Sequence, residues 1–169
     1  MNHDEDLHIL VRQESELQFP YFNADTAWEL GTRMRELASR CEKPVAMGIW
    51  VAGQTLFYSA TVAKSAGVTP GNEDWLRRKR NTVERFGKSS LRLGLELQRD
   101  ETTLERREGL MLADYAAHGG GFPLSLERTG CVGAIVVSGL TQREDHDLAV
   151  DATAAVLGRA VPRLDGTTR

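Results

Sequence analysis

The chain has 169 residues, which at about 100–200 residues per domain leaves room for one domain over 1–169 and not for two. With 41% hydrophobic and 27% charged residues, it can build a core that needs no metal or disulfide staple. Its 24 acidic and 21 basic side chains give a formal charge of −3, which removes the global electrostatic reason to expect nucleic acid or an anionic membrane as partner. The two cysteines, Cys41 and Cys131, lie far apart with no Cys-x-x-Cys spacing, so neither a disulfide framework nor a cysteine zinc site is expected. The N-terminus is acidic where a signal peptide is basic, and no apolar core follows it, so the expected location is the cytoplasm. The longest apolar stretches, Val45 to Gly53 and Cys131 to Leu140, are about half the ~18 residues of a membrane helix and read as buried strands.

In chain order, Leu7, Leu10, Val11 and Leu17 recur at helical spacing through Asp6 to Gln18, with acids ahead of them where the helix dipole favours negative charge. Phe19-Pro20-Tyr21-Phe22 breaks this first helix, and Asn23 or Asp25 caps a second, whose stripe is Ala27, Leu30, Met34, Leu37 and Cys41. Val45 to Val51 and Thr55 to Thr61 are β-rich runs around Ala52-Gly53-Gln54 and predict a hairpin. Thr69-Pro70-Gly71-Asn72 is a turn followed by the N-cap of a helix through Arg85, which carries Leu76, Arg80, Val83 and Phe86 on one face and which Gly87 ends. Ser89 or Ser90 caps a short helix carrying Leu91 and Leu95, with Gly94 costing about 1 kcal/mol relative to alanine inside it. Gln98 to Arg107 is charged and weakly patterned, and Leu110 to Ala117 is expected to add a helical turn or two before Gly119-Gly120-Gly121. Phe122 to Leu126 and Cys131 to Ser138 form a second hairpin, the latter strand apolar enough to be central with both faces covered. Thr141 and Glu144 form a capping box for a last helix with Leu148, Ala152, Ala155 and Val156 inward, and the polar tail after Pro162 is expected to fray. This α-α-β-β-α-α-β-β-α order lacks the rhythm of a parallel sheet and predicts an α+β fold, an antiparallel sheet flanked by helices.

Three features bear on chemistry. The glycine run after His118 reads either as a tight turn into the Phe122 strand or as a loop whose backbone N–H groups approach an anion closely. His118 beside it is suited to ligating haem iron or a divalent metal or to carrying a proton, whereas His146, among acids at the start of the last helix, reads as surface capping. Trp75 to Arg92 holds seven basic groups against the single acid Glu84, either as a solvated or subunit-contacting face or as an anion site. Glu105 and Glu108 are matched by Arg106 and Arg107, so no metal is assigned to them, and no serine-histidine-aspartate order, HExxH or EF-hand loop is present.

Phe19-Pro20-Tyr21-Phe22-Asn23, Arg77-Arg78-Lys79-Arg80-Asn81, Arg85-Phe86-Gly87-Lys88-Ser89-Ser90, His118-Gly119-Gly120-Gly121-Phe122-Pro123 and Val137-Ser138-Gly139-Leu140 resemble the uncharacterised branch of the haem-degrading-domain superfamily, whose relatives include GlcG-like and HbpS-like proteins. The resemblance covers nearly the whole chain. It implies a profilin-like three-layer α/β/α domain, a homo-oligomer (a dimer or a larger ring), and haem, another tetrapyrrole or a small anion as ligand. Two readings follow. In one, Gly119, Gly120, Gly121 and Phe122 line a ligand site with His118 as axial or acid–base group, while Lys79, Arg80 and Lys88 neutralise carboxylates. In the other, the protein is a non-enzymatic interaction protein with Trp28 and Trp75 in subunit contacts. No catalytic residue and no enzyme class is assigned.

Overall fold

A computed structural model describes residues 3–62 and 67–164. Helices α1 (His3–Glu16) and α2 (Ala24–Ala38) precede a hairpin, β1 (Ala46–Val51) and β2 (Gln54–Ala60). Helices α3 (Pro70–Phe86), α4 (Ser90–Arg99) and α5 (Leu104–Glu108) lead to a second hairpin, β3 (Gly121–Leu126) and β4 (Gly130–Ser138), and α6 (Gln142–Leu157) follows. The four strands make one antiparallel sheet in the order β2-β1-β4-β3. The expected α+β architecture is the one observed, with helices on both faces of the sheet.

Strand alternation decides what each face buries. Met47 and Ile49 of β1, Phe122 and Leu124 of β3, and Ile135 and Val137 of β4 join Leu30 and Met34 of α2 and Leu148 and Ala152 of α6 in the larger core. The intervening residues Ala46, Trp50, Ala134 and Val136 pack on Leu76 and Val83 of α3. β4 is therefore covered on both faces, as its unbroken apolar run predicts. Helix α1 stands apart from the sheet and packs Leu7 and Leu10 on Leu91 and Leu95 of α4, tied there by Arg92, which pairs with Glu14 at 2.7 Å and Glu96 at 2.9 Å.

Local chemistry accounts for most boundaries. Asn23 caps α2 through the Thr26 N–H, and Thr141 and Glu144 close the expected box on α6. α3 begins earlier than expected: its N-cap is Thr69, at the head of the expected turn, and Asn72 reaches back to accept the Thr69 N–H at 2.8 Å. Helix α4 forms in spite of Gly94, and the reason is tertiary. A Cβ there would lie 2.3 Å from the Ala117 carbonyl oxygen.

Of the helical turns expected over 110–117, a single one closes, the Asp114 and Tyr115 N–H groups donating to the Met111 carbonyl, and no helix forms. The segment is instead pinned to α3 by its carbonyls: Arg78 donates to Leu112, Arg77 to Ala113 and Asn81 to Asp114. Its hydrogen-bonding groups are thus taken by side chains of another element, which a local periodicity argument does not register. A single turn of helix, α5, appears just upstream, capped by Thr103 and ended by Gly109 in the left-handed region. In the tail, Arg163 pairs with Asp147 at 3.2 Å and also with Asp151, and residues 165–169 of the expected frayed segment lie outside the described residues.

Candidate functional site

A cleft of about 320 Å³ opens where the end of β4 meets the starts of α3 and α6. Asn72, Trp75 and Lys79 of α3, His118 and Gly119 before β3, Ser138 to Leu140 after β4, and Gln142 and Asp145 of α6 line it. Its floor is an ion pair. The Lys79 ammonium donates to Asp145 Oδ2 and to the Val137 carbonyl, both at 2.9 Å, while Asp145 Oδ1 accepts the Leu140 N–H at 3.0 Å. Both residues are buried. Burial pulls the Lys79 ammonium below its ordinary range, opposed by Asp145, and raises the Asp145 carboxyl, opposed by Lys79.

The glycine run is built into this floor. A Cβ on Gly119 would lie 1.8 Å from the Gln142 carbonyl oxygen, and one on Gly120 would lie 2.3 Å from the Val137 carbonyl oxygen and 2.7 Å from Lys79 Nζ. Gly120 also has φ +118°, which side-chain-bearing residues rarely adopt. Gly121 accommodates Val83 and the Ser90 hydroxyl, and that hydroxyl accepts the Gly121 N–H at 2.9 Å and donates to the His118 carbonyl. The three glycines let β3, α3 and α6 approach each other, with protein atoms as their near neighbours where the run enters β3.

His118 stands at the mouth. Its ring meets the Trp75 ring edge-on at 5.1 Å between centroids, and the Arg78 guanidinium covers Trp75 at 4.0 Å. Loss of solvation, then Lys79 and Arg78, depress its pKa, so the imidazole is neutral at neutral pH. Neither ring nitrogen is held by a described residue.

Of the expected site residues, the fold brings together His118, Gly119, Gly120 and Lys79, and it adds Trp75, Ser138 and Asp145. It does not bring the others to the cleft. Phe122 is fully buried in the larger core, and Gly121 faces Val83 and Ser90. Arg80 lies over Trp50 at 5.5 Å, with Glu84 at 3.8 Å. Lys88 pairs with Glu96 at 2.8 Å.

Asp145 is the residue sequence reasoning missed. It reads as one more acid in the first turn of α6, and only the pairing of distant elements sets it on Lys79. A second depression, of about 420 Å³, lies between α2 and α6 and holds Cys41 and Lys43. Burial, then Glu144 and Asp145, raise the Cys41 thiol, which lowers its thiolate fraction.

His146 corrects another expectation. It is fully buried, not a surface cap: its Nε2 meets the Gln13 amide oxygen at 2.9 Å and its ring packs edge-on against Phe122. Burial, then Arg143 and Arg163, push its pKa down to about 3. An unfolded histidine takes up its proton near pH 6.5, so the folded state is favoured in full above that pH and loses stability as pH falls toward 3. The cost is expected to reach about 2 kcal/mol at pH 5. Urea titrations of wild type and His146→Gln from pH 7.5 to 5 check this. The variant should show the shallower pH dependence, and parallel curves would refute the assignment.

The fold and cleft together define a helix-flanked antiparallel sheet with a polar pocket at the strand ends. Comparison with known proteins places the chain in a family: the model for the haem-degrading protein HbpS-like family matches residues 22–154, and the chain belongs to it. It is 49% identical over 162 residues to a UPF0303 protein of Serratia proteamaculans, covering 96% of this chain and 98% of that one. Among solved structures it is similar to the Ybr137w protein, with a TM-score of 0.81 and 33% identity over 90% of this chain and 87% of the other. It also shares its fold with the PduOC protein solved as a haem complex, with a TM-score of 0.63 and 20% identity over 79% of this chain and 94% of that one. No helix among the described residues is long and apolar enough to cross a membrane.

Proposed function

We propose that the protein binds a small ligand at the cleft, with haem or another tetrapyrrole as the ligand class and His118 as the group that meets it. The observation that carries this reading is the neutral imidazole of His118, uncommitted at both nitrogens and held against Trp75 at the mouth of a cleft. A histidine ligand to haem iron needs such a ring. The HbpS-like family and the haem complex of PduOC support the ligand class.

The residues fit part of a haem. His118 would offer an imidazole nitrogen to the iron, and Trp75 lies beside it in the lining of the cleft. The cations expected to meet its carboxylates are engaged elsewhere: Lys79 with Asp145, Arg80 with Trp50 and Glu84, and Lys88 with Glu96. The reading is accordingly one of binding through His118. Bound haem would supply redox-active iron, and this chain's part is to hold it through the imidazole and cover one face.

A haemin titration followed by absorption tests the reading. Wild type is expected to give a saturable Soret shift, and His118→Ala to weaken binding at least tenfold while keeping the wild-type circular dichroism. An unsaturable shift, or one the substitution leaves unchanged, would overturn it.

A further inference from the structure

Ser138 is the last residue of β4 and is only 4% exposed. Alternation along the strand puts its side chain on the face of Ala134 and Val136, which pack on α3. That is the side on which Asn72, Trp75 and Lys79 of α3 line the cleft. Its backbone is taken up by β1, through the pairing with Ala46, and by the Asn72 amide, which donates to its carbonyl at 3.4 Å. The hydroxyl is different. No described residue bonds it, yet it is not sealed in the core, so it opens into the cleft that Ser138 lines. A hydroxyl held in a buried residue without a protein partner costs free energy unless something else meets it.

The groups around that hydroxyl favour a single negative charge. Lys79 and Asp145 line the cleft as an ion pair and cancel. The starts of α3 and α6 border it through Asn72 and Gln142, and a helix N-terminus carries about half an elementary charge of positive sign, so the two together offer about one. Glu73 and Glu144, the other acids of those first turns, do not line the cleft. The exposed Gln142 side chain adds a carboxamide with no partner among the described residues. At about 320 Å³ the cleft is at the small end of ligand pockets, which span about 300–1,000 Å³, and it suits a short arm rather than a whole macrocycle.

We propose that the cleft holds a carboxylate, with the Ser138 hydroxyl and the Gln142 carboxamide donating to its oxygens, and that Ser138 sets the preference for it. Hydrogen bonds to an ionised acceptor are about twice as strong as neutral ones, and here neutral donors take the part that Arg80 and Lys88, engaged elsewhere, do not. The site takes a monoanion and rejects a dianion, because the Asp145 carboxylate cancels Lys79 and leaves only the two helix ends to meet the charge. The carboxylate belongs either to a side arm of a tetrapyrrole or to a free short-chain acid, and the chemistry at Ser138 is the same for both. The proposal rests on the reading of the cleft as a ligand site and not on a bond between His118 and iron.

Equilibrium dialysis of the full chain against labelled propionate, at fixed ionic strength, tests it. Wild type is expected to saturate, and a large excess of propionamide or of inorganic phosphate to leave the bound fraction unchanged. Ser138→Ala is expected to weaken binding about tenfold, the loss of one hydrogen bond to a charged group, with an unchanged melting temperature because the hydroxyl has no protein partner. Gln142→Leu, at an exposed position, should act in the same direction. Displacement of propionate by haemin but not by its dimethyl ester identifies a tetrapyrrole arm as the source, and displacement by neither identifies a free short-chain acid. Propionate binding without a haemin Soret shift would uphold the carboxylate site and remove the haem reading, whereas a His118-dependent Soret shift without propionate binding would do the reverse. Binding that Ser138→Ala leaves unaltered, or that propionamide or phosphate displaces equally well, would also overturn the proposal.

Discussion

Lys79→Met is expected to lower the stability of the fold by about 3–5 kcal/mol, the usual cost of leaving a buried charge without its partner. Asp145 would keep the Leu140 N–H but lose the ammonium at 2.9 Å, and the Val137 carbonyl would lose its donor. At this chain length each kcal/mol moves the melting temperature by about 2–4 °C, so a fall of roughly 10 °C is expected. Adding Asp145→Asn to Lys79→Met should recover part of the loss, because the neutral pair no longer buries a lone charge. Denaturant titrations of the two single variants, the double variant and wild type give the coupling energy. Single variants costing less than about 1 kcal/mol each would mean that the pair behaves as a solvated one, and the floor of the cleft would not be the rigid element described above.

Gly120→Ala is expected to be similarly severe, for a steric reason. The new methyl carbon would sit 2.3 Å from the Val137 carbonyl oxygen, 2.7 Å from Lys79 Nζ and 3.0 Å from Asp145 Cβ, at a residue with φ +118°. Overpacking of about 1–3 kcal/mol adds to about 1–2 kcal/mol of backbone strain. Gly53→Ala is the control. Gly53 has φ +78° in the β1–β2 turn but nothing within 4 Å of an added Cβ, so it carries the backbone term alone, about 1 kcal/mol. Equal losses for the two substitutions, measured by urea unfolding, would show that the contacts around Gly120 relax and that its neighbours are not fixed.

These two experiments also mark where sequence reasoning reached its limit at the site. His118 and the glycines that follow it stand out because the residue types are unusual in combination, and a glycine run announces close backbone approach whatever approaches it. What approaches it is Val137, Gln142 and the Lys79–Asp145 pair, none of which is adjacent in sequence. Arg80 and Lys79 are neighbours in one basic run, yet α3 sends Lys79 under Gly120 and Arg80 across to Trp50. The angular step between successive helical residues separates them, and which of the two meets the cleft depends on how α3 is rotated against the sheet. His146 shows the same limit. Its acidic neighbours suggest a surface position, while the packing of α1 through Gln13 buries it.

The sequence by itself determined the antiparallel sheet between helices, the two hairpins, the central place of β4 and the caps of α2 and α6, because periodicity, turn glycines and capping pairs act over a few residues. Only the tertiary structure decided that residues 110–117 are pinned to α3 rather than forming a helix, that Asp145 pairs with Lys79, and that Phe19 occupies the outer edge of β3. Each of those outcomes is set by a hydrogen bond or ion pair between elements distant in the chain, and local spacing carries no record of which distant partner a polar group will find.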